Sequence, residues 1–248
     1  VIPCLLLSEG GLFKTHQFKK PSYIGDPINA VKIFNDKEVD ELIFLDIDAS
    51  AKNQAPNFKF IEEIASECFM PLTYGGGISS VEHARRIFSL GVEKIAIQSA
   101  AIKNPSIIEE LSAEFGKQSV VVSIDVRKNF FKNYKLFTKQ STKECGHEIG
   151  CFVEKIISLG AGEILLNSVD CDGTLSGPDL KLISYVSELC SIPLIYVGGV
   201  ASLDDMKAVV SSGANAIGVG SFFVYQGPHR AVLITYPKYE VLRELFSD

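Results

Sequence analysis

The chain has no tryptophan, only two methionines, and six cysteines without a C-x-x-C pair among them. Cys4, Cys68, Cys145, Cys151, Cys171 and Cys190 are scattered, which argues against a disulfide framework and is read as reduced, buried thiols of a cytoplasmic protein. Cys145, His147 and Cys151 stand close together, but their spacing fits no zinc pattern and no second pair follows, so no metal is expected. Basic charge is not in excess: 24 Lys and Arg against 30 Asp and Glu leave a net charge of -6. That removes the electrostatic footprint of a nucleic-acid binder. No apolar run reaches the roughly 18 residues that span a bilayer, and the first residues lack the basic region of a secretory leader, so no membrane partner is expected. The chain opens on Val1 rather than Met, which leaves room for native residues ahead of it. His16, His83, His147 and His229 lack triad-like partners, His83 reads as a surface position, and no activated serine or cysteine signature is present. No cofactor is implied.

What is present is alternation. Short apolar, β-branched runs at 2–7, 42–46, 72–74, 94–97, 119–125, 163–167, 194–197 and 216–219 suit strands buried on both faces. Helical patterns lie between them at 81–90, 106–115, 147–159, 178–190 and 204–212. Gly91, Gly116, Gly160 and Gly213 stand where four of these helices stop. Eight strand–helix units in 248 residues predict an α/β fold, a single (β/α)8 TIM barrel over 1–248, with a doubly wound open sheet as the alternative.

The sequence also repeats itself. TYGGGIS at 73–79 resembles IYVGGVAS at 195–202, KIAIQSA at 94–100 resembles AIGVGSF at 216–222, and FLDIDAS at 44–50 resembles LLNSVDCDGT at 165–174. Each pair is separated by roughly 120 residues, half the chain, as two fused half-barrels of four βα units would be. This shift favours the closed barrel over the open sheet.

Barrel sites lie at the carboxyl ends of the strands. Gly76 and Gly77 follow the third strand, and Gly198 and Gly199 the seventh. Ser99, after Gln98, stands 22 residues beyond Gly77, and Ser221, after Gly220, stands 22 beyond Gly199. Backbone amides freed by glycine, together with a serine hydroxyl, bind phosphate. Two such clusters on opposite sides of the mouth predict a ligand phosphorylated at both ends. Carboxylates lie at the same level: Asp46 after the second strand, Asp125 ending the fifth, and Asp172 after the sixth. Asp125, with the apolar strand VVVSI behind it, is the candidate general acid or base. Lys14, in the loop expected after the first strand, is a candidate to close over a phosphate.

IPCL at 2–5, GDP at 25–27, DELIFLDIDAS, YGGGI, EKIAIQSAA, VVSIDVRK, GAGEILLNSVDCDGT and GGV together resemble the cyclase subunit of imidazole glycerol phosphate synthase, from Ile2 to about Phe223. The resemblance implies a (β/α)8 barrel for an elongated ribonucleotide with two phosphates. It also implies a glutaminase partner on the amino-terminal face, whose ammonia passes through the barrel. Carried over, Gly77, Ser99, Gly199 and Ser221 with their neighbours fall in the phosphate sites. Asp125 matches a catalytic aspartate, Lys14 a substrate-binding lysine, and Asp172, with Gly173 beside it, an active-site acid. Asn167 stands where a threonine is common. Glu41, Lys94 and Glu163 match three members of a charged gate at the lower entrance, and the resemblance places the fourth, an arginine, just ahead of Val1. Glu93 matches an acid at the partner interface.

One expected residue is not there. The family carries a second catalytic aspartate at the position of Leu6, and the internal repeat independently sets Leu6 opposite Asp125. Leucine can neither donate nor accept a proton, and loss of one general acid–base group costs about 10²–10⁴-fold in rate. The expected function is therefore the synthase subunit of an imidazole glycerol phosphate synthase-like amidotransferase complex, with cyclase chemistry impaired or altered. Two alternatives follow: an ammonia conduit for a sugar amidotransferase of surface-polysaccharide synthesis, and a non-catalytic phosphosugar-binding regulator.

Overall fold

The computed structural model describes residues 1–138 and 148–247. Eight barrel strands run parallel: β1 (Ile2–Ser8), β2 (Leu42–Asp46), β3 (Leu72–Gly75), β4 (Lys94–Ile97), β5 (Val120–Lys128), β6 (Glu163–Ser168), β7 (Leu194–Val197) and β8 (Ala216–Val219). Each pairs with the next, and β8 returns to β1 through Ile2↔Gly218 and Pro3↔Val219, which closes the barrel. The open-sheet alternative is thereby set aside.

Strand alternation divides the apolar side chains into two compartments. Leu5, Leu7, Phe44, Tyr74, Val122, Leu166 and Tyr196 point outward into a layer shared with the helices. Ile2, Cys4, Ile43, Ala96, Val121, Leu165, Ile195 and Val197 fill the barrel interior. The helices of the outer ring are α1 (Pro27–Asp36), α2 (Phe58–Glu67), α3 (Val81–Ser89), α4 (Ser106–Phe115), α5 (Ile149–Ser158), α6 (Leu180–Ser187) and α7 (Leu203–Ser211), with α8 (Tyr239–Leu245) near the end of the chain. Side-chain caps start most of them. Asp26, Asn57, Ser80, Asp179 and Ser202 each accept a bond from the amide three residues on, meeting donors the helix cannot satisfy itself.

The half-barrel repeat extends to backbone angles. Gly76 and Gly198 have φ of 130° and 122°, Gly77 and Gly199 71° and 83°, and Gly91 and Gly213 94° and 105°. Ser80 and Ser202 cap α3 and α7 with the same φ of -151°. The first strand of each half runs past the rim. β1 turns at Glu9 and Gly10 into an antiparallel pair, Gly11–His16 and Lys19–Gly25, and β5 pairs with Tyr134–Leu136.

Several expectations are corrected. Residues 9–16 are not a simple loop, because Gly11–His16 pairs antiparallel with β1 as a strand. The helix expected at 178–190 is shortened to Leu180–Ser187, since Asp179 spends its carboxylate as the cap. Of the cysteines within the described residues all are free thiols, but only Cys4 is fully buried, and Cys151 is exposed on α5. Cys145 and His147 lie outside the described residues.

Candidate functional site

A cavity of about 170 Å³ opens at the carboxyl ends of the strands. Two glycine–serine clusters face each other across it: Gly76, Gly77 and Ser99 from the first half, and Gly198, Gly199 and Ser221 from the second. A side chain at either inner glycine would strike backbone. A Cβ on Gly77 would sit 2.7 Å from Gln54 O and one on Gly199 2.1 Å from Gly177 O. Only glycine lets the chain approach this closely. The clusters are not equivalent. The Gly77 amide donates to Ser50 Oγ at 3.1 Å, whereas the Gly199 and Gly173 amides and the Ser221 hydroxyl have no partner among the described residues.

The centre of the cavity is sharply divided. β1 presents Cys4 and Leu6, and β5 presents Ser123 and Asp125. Register sets Leu6 beside Leu45 and Asp125 beside Asn167, so the first half offers an apolar pair where the second offers a polar one. Leu6 does face the cavity, as the repeat required. Burial pushes the Asp125 carboxyl up to about 7, against hydrogen bonds from Gln98 and Asn167 that favour its charged form, while the neighbouring Asp172 charge adds to the rise. Gln98 Nε2 donates to Asp125 Oδ2 at 2.7 Å and to Phe137 O at 3.3 Å. The buried Asn167 Oδ1 has no hydrogen-bond partner among the described residues. A buried acceptor left open beside a carboxyl poised near neutrality suits a ligand that brings an N–H or O–H donor.

Lys14 lies not in a loop after the first strand but on the strand Gly11–His16, 6% exposed. Its Nζ donates to Cys4 O at 2.7 Å, and burial lowers its pKa against the pull of the Cys4 and Asp172 charges. A Cβ on Gly220 would come within 2.2 Å of that nitrogen, so the glycine makes room for the lysine. Asp172 holds the hairpin down: Thr15 Oγ1 donates to its Oδ2 at 2.7 Å, the Phe18 amide at 3.3 Å, and the Gln17 amide to its backbone oxygen at 2.9 Å. Burial raises the Asp172 pKa, partly offset by Thr15 and Lys14. Asp46 also lines the cavity, but its Oδ1 is held by the amides of Asp48 and Ala49 at 2.9 and 3.0 Å.

At the opposite end of the barrel Lys94 Nζ lies 2.8 Å from Glu163 Oε1 and 3.2 Å from Glu41 Oε1, with Thr73 Oγ1 donating to Glu41 at 3.0 Å. These charges are 16–21% exposed, and burial alone would lower the lysine, but the bonds to Glu163 and Glu41 raise it instead. Glu93 lies outside this cluster, exposed, its Oε2 accepting the Leu72 amide at 2.7 Å.

Sequence reasoning thus places Leu6, Lys14, Asp46, Gly76, Gly77, Gln98, Ser99, Asp125, Asn167, Asp172, Gly173, Gly198, Gly199, Gly220 and Ser221 around one cavity. It missed Thr15, Ser123 and the Phe137 carbonyl. Ser123 was available from strand alternation with Asp125, but Thr15 and Phe137 reach the site only through hairpins. Among the described residues no group of His, Cys, Asp and Glu could hold a metal ion, and no helix is long and apolar enough to cross a membrane.

A closed (β/α)8 barrel assembled from two halves, with one cavity at the strand ends and an ion cluster at the strand starts, defines the class. The chain belongs to the histidine biosynthesis protein family, whose model matches residues 1–229. Among its curated relatives, one from Pseudomonas aeruginosa named "Putative imidazole glycerol phosphate synthase subunit hisF2" is 49% identical over 96% of this chain and 95% of its own length. A relative from Leptospira interrogans with the same description, subunit HisF, is 47% identical over 99% and 98%. The "Imidazole glycerol phosphate synthase subunit HisF" of Streptococcus mutans is 37% identical over 84% and 83%.

Proposed function

We propose that this protein is the synthase-side barrel of an imidazole glycerol phosphate synthase-like glutamine amidotransferase complex. It takes a ribonucleotide-like substrate with a phosphate at each end, one end held by Gly76, Gly77 and Ser99, the other by Gly173, Gly199 and Ser221. The observation that carries this reading is the pair of facing glycine–serine clusters across a single cavity that also contains Asp125. A glutaminase partner docks on the lower face near Glu93, and ammonia enters past Glu41, Lys94 and Glu163. The apolar interior above them lets neutral ammonia pass while excluding hydrated ammonium, whose burial without a partner is costly. At the top, Asn167 Oδ1 accepts an N–H from ammonia or substrate, and Asp125, titrating near neutrality, accepts or returns the proton that ring closure must move.

One feature favours a second reading. With Leu6 and Leu45 opposite Asp125 and Asn167, one proton-handling group serves where the half-barrel symmetry provides a place for two. The same barrel would then deliver ammonia to another acceptor, such as a sugar amidotransferase, rather than complete a cyclisation. The test is direct. Purified protein is given the bis-phosphorylated ribonucleotide of histidine synthesis with an ammonium salt, alongside Leu6→Asp. We expect little or no turnover from the native chain and a measurable gain in the variant. Rapid native turnover would refute the one-acid argument. Absence of binding by either protein would refute the bis-phosphate site itself.

A further inference from the structure

The family match stops at residue 229. The chain beyond it does not trail away. Tyr225–Gln226 and Ala231–Val232 form a small antiparallel pair. The segment after it is fastened to the barrel: the Leu233 amide donates to Val224 O and the Thr235 amide to Phe223 O, both at 2.8 Å. Tyr236 packs edge-on against Phe223 and donates from its hydroxyl to Val1 O at 2.8 Å. The turn between the two short strands sets one exposed charged side chain against the loop that carries the cavity residue Gly173. Arg230 Nη1 donates to Gly173 O and Nη2 to Thr174 O, each at 3.3 Å.

Three facts set this guanidinium apart from an ordinary surface arginine. It has no carboxylate partner among the described residues, in a protein of net charge -6. Its present partners are neutral carbonyls at long distance. And the residue it touches, Gly173, lines the cavity with an amide that has no partner, beside the equally unpartnered Gly199 amide and Ser221 hydroxyl. A fork of parallel N–H groups held on two successive carbonyls is oriented at little entropic cost, and charge-assisted bidentate bonds to a phosphate are about twice as strong as neutral ones.

We infer that Arg230 is a specificity residue of the second cluster: it completes the seat for a phosphate monoester dianion formed by Gly173, Gly199 and Ser221, exchanging its carbonyl contacts for the outer oxygens of that phosphate. This rests on the reading of the clusters as phosphate seats. It explains why the second cluster keeps its amides open while the first spends the Gly77 amide on Ser50. The guanidinium favours a terminal dianion over a carboxylate or a neutral sugar end, and it comes from a part of the chain outside the family match.

The test uses the full-length protein and two probes, inorganic phosphate and the bis-phosphorylated ribonucleotide, with binding measured by calorimetry and folding checked by thermal melting. Arg230→Gln is expected to weaken both probes by about tenfold, and Arg230→Lys, which keeps the charge but not the fork, to recover part of the loss. The Arg230→Gln loss should multiply with that of Ser99→Ala in the first cluster, and fall short of multiplying with that of Ser221→Ala in its own. If native protein binds the probes and Arg230→Gln binds them equally well, the inference is wrong and the phosphate seats stand. If Arg230→Lys is as weak as Arg230→Gln, or the coupling with Ser221→Ala is absent, the arginine only ties the loop. If native protein binds neither probe, the phosphate reading fails and takes Arg230 with it.

Discussion

Leu6 and Asp125 occupy matching positions of two half-barrels and face one cavity, and only one of them can move a proton. The pH dependence of Asp125 follows from its burial. A free aspartate carboxyl has a pKa of 3.8, and burial in the folded chain pushes that of Asp125 up to about 7. Between those values the folded state binds more protons than the unfolded state, so stability falls as pH rises from 4 to 7 and levels off above. Asp125→Asn removes that slope. Denaturant melts of the two proteins should agree near pH 4 and separate by pH 8, the variant being more stable by on the order of 3 kcal/mol. Any turnover should drop by about 10²–10⁴-fold in the same variant. A carboxylate already ionised at pH 5 would give no such divergence.

At the scale of elements, the hairpin Gly11–Gly25 pairs with β1 at its base and is fastened at its far end by one acid. Asp172 takes bonds from Thr15 and Phe18, and Gly173 presses against Thr15, whose carbonyl oxygen lies 2.0 Å from where a Cβ would stand. Gly173 also has a φ of 68°, so Gly173→Ala meets both strain and collision. It should lower stability by about 2–4 kcal/mol and expose the hairpin to limited proteolysis. Thr15→Val, which removes one bond and keeps the shape, should cost about 1–2 kcal/mol and open the same cleavage sites more slowly. Equal protease resistance in native and Thr15→Val proteins would show that the hairpin is held by other contacts. The eight barrel strands and five of the ring helices were legible because apolar period and helix-stop glycines agree locally, as in α4, whose bounds match the expectation of 106–115 and which ends at Gly116, whereas α1 and α2 were not singled out. The hairpins were not. Their pairing depends on β1 and β5 continuing past the rim, which no local pattern of polar residues announces.

At the scale of the whole molecule, the lower ion cluster and the upper cavity are joined by an apolar interior. Lys94→Met would leave Glu41 and Glu163 facing each other without a cation. That should cost about 2 kcal/mol in a thermal or denaturant melt. With a glutaminase docked as proposed, and in the Leu6→Asp background where turnover is expected, it should lower glutamine-supported product formation more than ammonium-supported formation, assayed side by side. A variant that lost both activities in parallel would point to a structural role for the cluster.

Sequence alone determined the barrel, its division into halves, the residues that ring the cavity and the pairing of Leu6 with Asp125 across the two halves. All of these follow from period, spacing and repetition along the chain. Only the tertiary structure decided what those residues do to one another. Lys14 is drawn into the interior beneath Gly220, Asp46 spends its carboxylate on its own loop, Asp125 is lifted toward neutrality by burial, and Arg230 is carried back to Gly173. The physical reason is that hydrogen-bond partners and desolvation depend on which segments meet in space, and residues 57 positions apart carry no mark of that meeting in their order.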